Sequence, residues 1–496
     1  MCRSFSALCL IFSLTHSNLI AQTNYYWIGS GSIADPSNWG TNLDGTGSHP
    51  ANFNSVNQIF NMQSGQSTTP TSQWIISGVG SKLNLQTGST FTAGAFDHNL
   101  TVDLAAGSTY SLNSAYPSLI LGTLDPGGVV NFSGNSNSIL RNLSYGSLRF
   151  NVSSPAQVLN QNLTLTGNLQ QSGNAELRLG STTASVVSVG KDVVIDSGKT
   201  LNLTSGSANT SLNISGNLSN SGTISKTGGG TSSINFTGAG SNTANWGTIS
   251  NAISVSIVST KTITFASNFS NVSSPITNNG TLILASGTST SGSISSNGLL
   301  AGLGKATGGV TINSGGTIRG DTNQGTGTFT SEGSLTITGA SSNGAKILTQ
   351  TNRNISSGAG TVANPYLIES SKIAVIGVSN FNFAATNTNK FQLEVRNGAS
   401  PLLPGETYRI TIGTIDAQAQ FQLNGTSLGA NNIIASSNYL LSSPDFASFN
   451  NVTLGIGASG TNLDLTFTPV PEPASVFGLI TLAVGISHAS RRLIRK

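Results

Sequence analysis

One nine-residue pattern recurs along the chain, first as LNLQTGSTF at residues 83–91 and again as VDLAAGSTY at residues 102–110. Each copy places apolar residues at alternate positions, then a glycine, then another apolar residue. Alternation with a period of two is typical of a strand with one buried and one exposed face. Glycine and asparagine between such runs supply turn conformations. The pattern therefore predicts short strands separated by tight turns.

Related runs continue downstream with looser spacing. They are found at residues 163–169, 212–218, 310–318 and 335–339. A recurrence of roughly 19 to 28 residues is the scale of a solenoid coil. One coil cannot bury its own apolar face, whereas stacked coils can. We therefore predict an all-β protein whose residues 80–370 form a parallel β-solenoid, or β-helix.

The charge of the chain is low and unevenly placed. Asp, Glu, Lys and Arg make up 8% of the 496 residues, against roughly 25% in an ordinary soluble domain. A helical protein needs more charge on its solvated faces. The net charge of +4 comes largely from the two ends of the chain. The body is close to neutral and has no basic patch, so we expect no nucleic-acid partner.

Residues 1–21 are predicted to be a signal peptide. Arg3 is followed by an apolar run over residues 5–14 and then by small and polar residues. This order of basic, apolar and cleavage regions is typical of secretory signals, and we place the cut between Ala21 and Gln22 by signal peptidase. Cys2 and Cys9 are the only cysteines, so the mature body has none and disulfides cannot hold it together.

The other end carries a second signal over residues 470–496. Val470, Pro471, Glu472 and Pro473 precede an apolar stretch over residues 474–490. Seventeen residues at about 1.5 Å each give a helix of roughly 25 Å, which predicts one transmembrane helix. The tail that follows would stay cytoplasmic because it is basic; its basic residues are Arg491, Arg492, Arg495 and Lys496.

This arrangement resembles the PEP-CTERM sorting signal of Gram-negative bacteria, in motif, helix and basic cluster. The resemblance covers about the last 27 residues. It implies processing near the Pro-Glu-Pro motif by an exosortase, a membrane enzyme, and delivery to the cell surface or extracellular matrix. Before processing, the exported chain would be anchored in the inner membrane by its C-terminal helix.

Two body segments carry a further resemblance. Residues 297–338, above all 309–318, look like the β-strand repeat associated with autotransporter passengers. Residues 26–29 and 35–39 look like the opening of similar exported β-solenoid proteins. Both imply a bacterial exported solenoid. No C-terminal outer-membrane barrel pattern follows, so the chain does not resemble a complete autotransporter.

The regions that flank the repeats differ from them in composition. Residues 22–79 contain three of the four tryptophans, Trp27, Trp39 and Trp74. This predicts an aromatic-rich N-terminal cap, with a carbohydrate-stacking platform as the alternative. Residues 371–469 contain longer apolar runs at 390–395, 408–412 and 463–467, which predict a C-terminal antiparallel β-module.

The body offers few residues for catalysis. One cluster is Asp97 and His98 with Asp103, and the other is Lys191 and Asp192 with Asp196. On one strand, Asp192 and Asp196 would lie roughly 13 Å apart, too far for a retaining glycosidase pair. His49 and His98 have no metal-ligand spacing. We therefore predict no catalytic residue, no metal site and no cofactor, and interpret the carboxylates as turn residues.

These observations favour an exported, non-enzymatic structural or adhesin-like protein. Its partners would be signal peptidase, an exosortase-type enzyme and, before processing, the inner membrane. The alternative is a carbohydrate-binding or polysaccharide-cleaving β-helix, whose partner would be an extracellular polysaccharide.

Overall fold

The computed structural model describes residues 21–113, 119–133, 144–154, 157–270, 275–322 and 325–471. Within these ranges the chain is all-β, with no α-helix and two short 3-10 helices over Pro36–Asn38 and Ser436–Asn438. The described residues form two compact units, one reaching residue 129 and the other starting at residue 130 and including residue 113. The large parallel sheets confirm the predicted all-β, solenoid-like architecture.

The first unit is built on short strands that alternate between an aromatic interior and a polar surface. Its described strands are β1 (Thr23–Trp27), β2 (Trp39–Gly40), β3 (Gln58–Met62), β4 (Ser67–Thr68), β5 (Lys82–Leu85), β6 (Thr90–Thr92), β7 (Thr101–Leu104), β8 (Thr109–Leu112) and β9 (Ile120–Leu124). Strands β1, β3, β5, β7 and β9 pair in parallel, while β2 pairs antiparallel with β1. Strands β4, β6 and β8 form a second parallel ladder.

An aromatic cluster fills the N-terminal part of this unit. Trp39 contacts Phe60 with ring centroids 5.2 Å apart and Trp74 at 5.6 Å. Phe53 packs on the same two rings. Trp27, Trp39 and Trp74 are at most 3% exposed. Their ring faces are therefore packed against protein, which agrees with a cap and leaves these three rings unable to form a stacking platform.

The second unit contains coils that carry up to three strands each. The described strands of its repetitive part are β10 (Val129–Phe132), β11 (Ser144–Tyr145), β12 (Ser147–Phe150), β13 (Gln157–Val158), β14 (Leu163–Leu165), β15 (Leu169–Gln171), β16 (Leu177–Gly180), β17 (Ser185–Val189), β18 (Val193–Ile195), β19 (Thr200–Thr204), β20 (Thr210–Ile214), β21 (Leu218–Asn220), β22 (Thr223–Ser225), β23 (Ser232–Phe236), β24 (Gly240–Asn245), β25 (Thr248–Ile249), β26 (Ser254–Ile257), β27 (Lys261–Phe265), β28 (Ile276–Asn278), β29 (Thr281–Leu284), β30 (Ser289–Thr290), β31 (Ile294–Ser296), β32 (Leu299–Gly302), β33 (Lys305–Ala306), β34 (Val310–Ile312), β35 (Thr317–Ile318), β36 (Thr328–Ser331) and β37 (Leu335–Thr338).

Parallel pairing stacks equivalent positions of successive coils. Leu212 of β20 lies opposite Val187 of β17 on one side and Ile234 of β23 on the other. All three side chains are fully buried. The alternation in β20 buries Thr210, Leu212 and Ile214 and leaves the residues between them partly exposed. The core at these positions is therefore a column of aliphatic residues, while Ser211 and Asn213 between them lie on the partly exposed face.

The C-terminal part departs from the predicted antiparallel module, because parallel stacking continues into it. Its described strands are β38 (Lys346–Ser357), β39 (Tyr366–Ser370), β40 (Lys372–Val375), β41 (Asn380–Ala384), β42 (Phe391–Asn397), β43 (Tyr408–Ile415), β44 (Gln420–Leu423), β45 (Thr426–Leu428), β46 (Ile433–Ile434), β47 (Tyr439–Ser442), β48 (Ser448–Ile456) and β49 (Asn462–Val470).

Both directions of pairing occur in this part. Strand β42 is parallel to both β38 and β47, and β41 is parallel to β37 and β44. The predicted antiparallel pairing occurs between β38 and β39, between β44 and β45, and among the last strands, where β48 pairs with β46 and β49 pairs with β43 and β48. Parallel stacking extends beyond residue 371 because an exposed parallel edge offers hydrogen bonds to the next coil.

Candidate functional site

The predicted terminal signals lie mostly outside the described residues. Ala21 and Gln22 are exposed and directly precede β1. Val470 ends β49, and Pro471 is the last described residue. The rest of the sorting segment, namely Glu472, Pro473, the apolar stretch 474–490 and the basic tail Arg491, Arg492, Arg495 and Lys496, is outside the described ranges. Among the helices that the structure describes, none has the length and apolar character needed to cross a bilayer.

His98 belongs to the interior of the first unit. It is 1% exposed. Its Nδ1 accepts a hydrogen bond from the backbone N–H of Trp74 at 3.0 Å, and its Nε2 lies 2.8 Å from the carbonyl oxygen of Ala93. Both contacts are satisfied by a neutral ring protonated on Nε2. Burial lowers the pKa of His98, so the ring acts as a neutral structural bridge.

Asp103 is not joined to His98 in one constellation. It lies between Val102 and Leu104, whose side chains fill the interior, so Asp103 is on the outer side of β7. Its carboxylate forms an ion pair with Lys82 of β5 and accepts a hydrogen bond from the backbone N–H of Thr123 at 2.7 Å. Asp97 lies in the turn before His98, and its carbonyl oxygen accepts a hydrogen bond from Gln73.

Asp192 belongs to a ladder of turn residues that runs through successive coils. The Oγ of Ser147 accepts a hydrogen bond from the N–H of Asn168, and Oδ1 of Asn168 accepts one from the N–H of Asp192. Oδ1 of Asp192 accepts from the N–H of Asn217 at 2.7 Å, and Oδ1 of Asn217 accepts from the N–H of Thr243. The carboxylate thus occupies a turn position that asparagine fills in its neighbours.

Asp196 has a similar structural environment at the other end of β18. Its carboxylate accepts a hydrogen bond from Nε2 of Gln170 at 3.3 Å, and its carbonyl oxygen accepts one from the N–H of Lys199. Lys191 is exposed, and its backbone groups bond to neighbouring coils. His49 is exposed and contacts the carbonyl oxygen of Trp39. In the described residues, no group of three or more His, Cys, Asp or Glu side chains could hold a metal ion.

A groove of about 540 Å³ lies over the Lys82–Asp103 ion pair. Its floor is the outer side of β5, β7 and β9, and the segment at residues 76–81 forms one wall. At β9 the register shifts by one residue between Val102 and Leu104, so Gly122 and Thr123 together face Asp103. A bulge of this kind redirects side chains and backbone groups locally, and here it directs the N–H of Thr123 at the carboxylate.

Three further charged groups were missed by sequence reasoning. Lys261 is 1% exposed, and its ammonium donates to the carbonyl oxygen of Ser215 and to Oδ1 of Asn242. Burial lowers its pKa.

The second group is Glu394. Burial alone would raise the pKa of Glu394, but hydrogen bonds from Lys346 and Arg396 outweigh this effect and hold that pKa below its ordinary value.

The third group is a partly exposed cluster near the C-terminus. Arg353 donates three hydrogen bonds to the carboxylate of Glu406, the shortest at 2.9 Å, and also donates one to the hydroxyl of Tyr408. That hydroxyl accepts a hydrogen bond from the N–H of Leu403. Each of these three groups joins residues distant in sequence, so no local motif signals it. The Lys82–Asp103 pair, in contrast, has a signal in the sequence. When residues 83–91 are aligned with residues 102–110, Lys82 falls opposite Thr101, which is two positions from Asp103.

Comparison of the chain with protein-family models, curated proteins and solved structures gives no significant match. The described fold, all-β with large parallel sheets, is that of a solenoid-like β protein.

Proposed function

We propose that this protein is an exported, non-enzymatic β-solenoid displayed at the cell surface or in the extracellular matrix. In this proposal, signal peptidase cuts between Ala21 and Gln22. An exosortase-type enzyme then recognises Val470, Pro471, Glu472 and Pro473 together with the transmembrane helix and basic tail. The single observation that carries the proposal is a nearly uncharged stack of coils, in a chain whose two ends have the sequence patterns predicted for a signal peptide and a sorting signal.

The position of the strands supports processing at both ends. Gln22 directly precedes β1, so a cut before it removes no residue of that strand. At the other end, Val470 is the last residue of β49 and its carbonyl oxygen accepts a hydrogen bond from the N–H of Ala447. A cut after Pro471 would keep that hydrogen bond. Both cuts would therefore release a body with its described strands complete.

The use of the acidic residues supports a non-enzymatic role. Asp103 and Asp192 each accept a hydrogen bond from a backbone N–H of the following coil at 2.7 Å. Asp196 bonds to Gln170 of the preceding coil. Carboxylates held in this way satisfy backbone donors that would otherwise be unpaired, so stacking of the coils already accounts for them.

The sorting part of the proposal is tested by deleting residues 472–496, which leaves β49 complete. The full chain, the deletion variant and a Glu472→Ala variant are expressed in cells with an exosortase and in matched cells without one. We expect surface or matrix delivery only for the full chain in exosortase-containing cells. A Glu332→Ala variant, which changes a carboxylate of the body, is the control and should be delivered normally.

Intact-mass measurement of the surface form adds an independent readout. We expect a mass that begins at Gln22 and ends near the Pro-Glu-Pro motif. Delivery of the deletion variant at the level of the full chain, or equal delivery without exosortase, would contradict the sorting proposal. The polysaccharide-cleaving alternative is tested with the same purified surface form. That alternative requires the protein to release new reducing or unsaturated chain ends from a polysaccharide, and it requires Asp103→Asn or Asp192→Asn to abolish this release.

A further inference from the structure

We propose that the groove over Lys82 and Asp103 binds a neutral saccharide. The inference does not depend on the sorting proposal, because it concerns the first unit alone. It rests on the charge, the shape and the rim of the groove. A volume of about 540 Å³ falls within the range of ligand sites in proteins and suits a few sugar rings.

The charge of the groove favours an uncharged ligand. Lys82 and Asp103 are the charged residues among those that line it, and they form an ion pair with each other. An anionic ligand would compete with Asp103 for the ammonium, and a cationic ligand would compete with Lys82 for the carboxylate. Hydroxyl groups can instead donate to the carboxylate and accept from the ammonium without separating the pair.

Neutral polar groups extend this pattern of donors and acceptors. Asn99 and Thr101 line the same groove. Asn99 is exposed and Thr101 is partly exposed. An amide offers both donors and acceptors, and a hydroxyl does the same. Adjacent side chains that can both donate and accept hydrogen bonds match the vicinal hydroxyls of a saccharide better than they match a single ionic group.

Gly122 leaves room for the carboxylate of Asp103. A Cβ at this position would lie 2.3 Å from Oδ1 of Asp103, so any side chain would collide with the carboxylate. The bulge that places Gly122 opposite Asp103 also positions the N–H of Thr123, which donates to that same oxygen. The carboxylate is therefore held in one orientation at the groove, where its side chain keeps 12% of its surface exposed.

The rim of the groove is aliphatic. Val79 is 81% exposed and Ile120 is 56% exposed, and both line the groove. Sugar rings have apolar faces of C–H groups beside their hydroxyls, and such faces can rest on aliphatic side chains. Two separate side chains are too small an apolar area for the core of a stable protein interface, which favours the saccharide over a protein partner.

The test measures binding of six-residue oligosaccharides to the purified full chain by titration calorimetry, in a detergent without a sugar headgroup. The neutral probes are cellohexaose, maltohexaose, mannohexaose and xylohexaose. Hexagalacturonate and a chitosan hexamer are the anionic and cationic comparators. We expect at least one neutral probe to bind in preference to both charged ones. Lys82→Gln and Asp103→Asn should each weaken that binding about tenfold or more.

Asp192→Asn is the matched control, because this carboxylate also accepts a backbone N–H at 2.7 Å but lies in the second unit. It should leave binding within about twofold of the unmodified chain. If Asp103→Asn fails to fold, Lys82→Gln decides the result. Absence of binding to every neutral probe, preference for a charged probe, or an equal loss in the control would each overturn the proposal.

Discussion

Asp192 accepts a hydrogen bond from the backbone N–H of Asn217 at 2.7 Å, and Asn217 occupies the same turn in the next coil. The contact joins two coils through a side chain. It lies within a ladder in which Asn168 makes the equivalent contact to Asp192. An acidic residue that resembles a catalytic candidate in the sequence is therefore a structural link between coils.

This link predicts a difference between two substitutions at Asp192. Asp192→Ala leaves the N–H of Asn217 without its acceptor and should lower the free energy of unfolding by about 1–3 kcal/mol. Asp192→Asn keeps an oxygen at that position and should cost less than about 1 kcal/mol. Urea unfolding followed by circular dichroism measures both. Equal losses for the two variants would contradict the structural role.

The buried ring of His98 predicts a pH dependence of stability. Burial lowers the pKa of His98 in the folded protein, so below the unfolded value of about 6.5 the unfolded chain binds more protons. Its contribution to stability is present above about pH 6.5 and is lost as the pH falls below that value. Urea unfolding between pH 5 and 8 measures the effect.

Two variants separate His98 from other groups in that experiment. His98→Gln should remove the part of the pH dependence that comes from this ring. His49→Gln should retain it, because His49 is exposed. If the free energy of unfolding changes equally with pH between pH 5 and 6.5 in the unmodified chain and in His98→Gln, then His98 does not cause the pH dependence.

The contacts of Lys261 predict an energetic coupling between this buried residue and the partly exposed Asn242. Lys261→Met leaves Oδ1 of Asn242 and the carbonyl oxygen of Ser215 without their donor, which should cost about 1–3 kcal/mol. Adding Asn242→Leu removes one of the unpaired acceptors, so the double variant should recover part of the loss. A double-variant cycle in urea measures the coupling. A double variant no more stable than Lys261→Met would contradict it.

The aromatic cluster predicts a large loss when Trp39 is truncated. Trp39 is fully buried against Phe60 and Trp74, so Trp39→Ala should lower the stability of the first unit by about 3–5 kcal/mol. Leu43→Ala is the control, because Leu43 is 65% exposed, and it should change stability by less than about 0.5 kcal/mol. Thermal unfolding followed by tryptophan fluorescence compares them. Similar melting of both variants would refute the packing argument.

Much of the strand pattern was predictable from local sequence. The alternating pairs Leu83 and Leu85, and Leu212 and Ile214, are buried as their period of two predicts. The aromatic residues at 39, 60 and 74 are also buried. Such predictions succeed because successive side chains of a strand point to opposite faces, so the face of each side chain depends only on its position along that strand.

The pairing at the C-terminus was not predictable in the same way. The runs at 390–395 and 408–412 were correctly identified as strands, within β42 and β43. Their partners are mostly parallel strands that are distant in sequence, rather than the antiparallel neighbours that the prediction assumed. An apolar alternation carries no information about which strand lies beside it.

The amino-acid sequence by itself determined that this chain forms short β-rungs, which residues of each rung face inward, and that the body carries almost no net charge. These properties follow from residue type and from the two-residue period of a strand. Only the tertiary structure decided that Arg353 meets Glu406, that Lys261 reaches Ser215, and that parallel stacking extends beyond residue 371. The reason is that turns of unequal length set the register between coils, and register decides which distant side chains become neighbours.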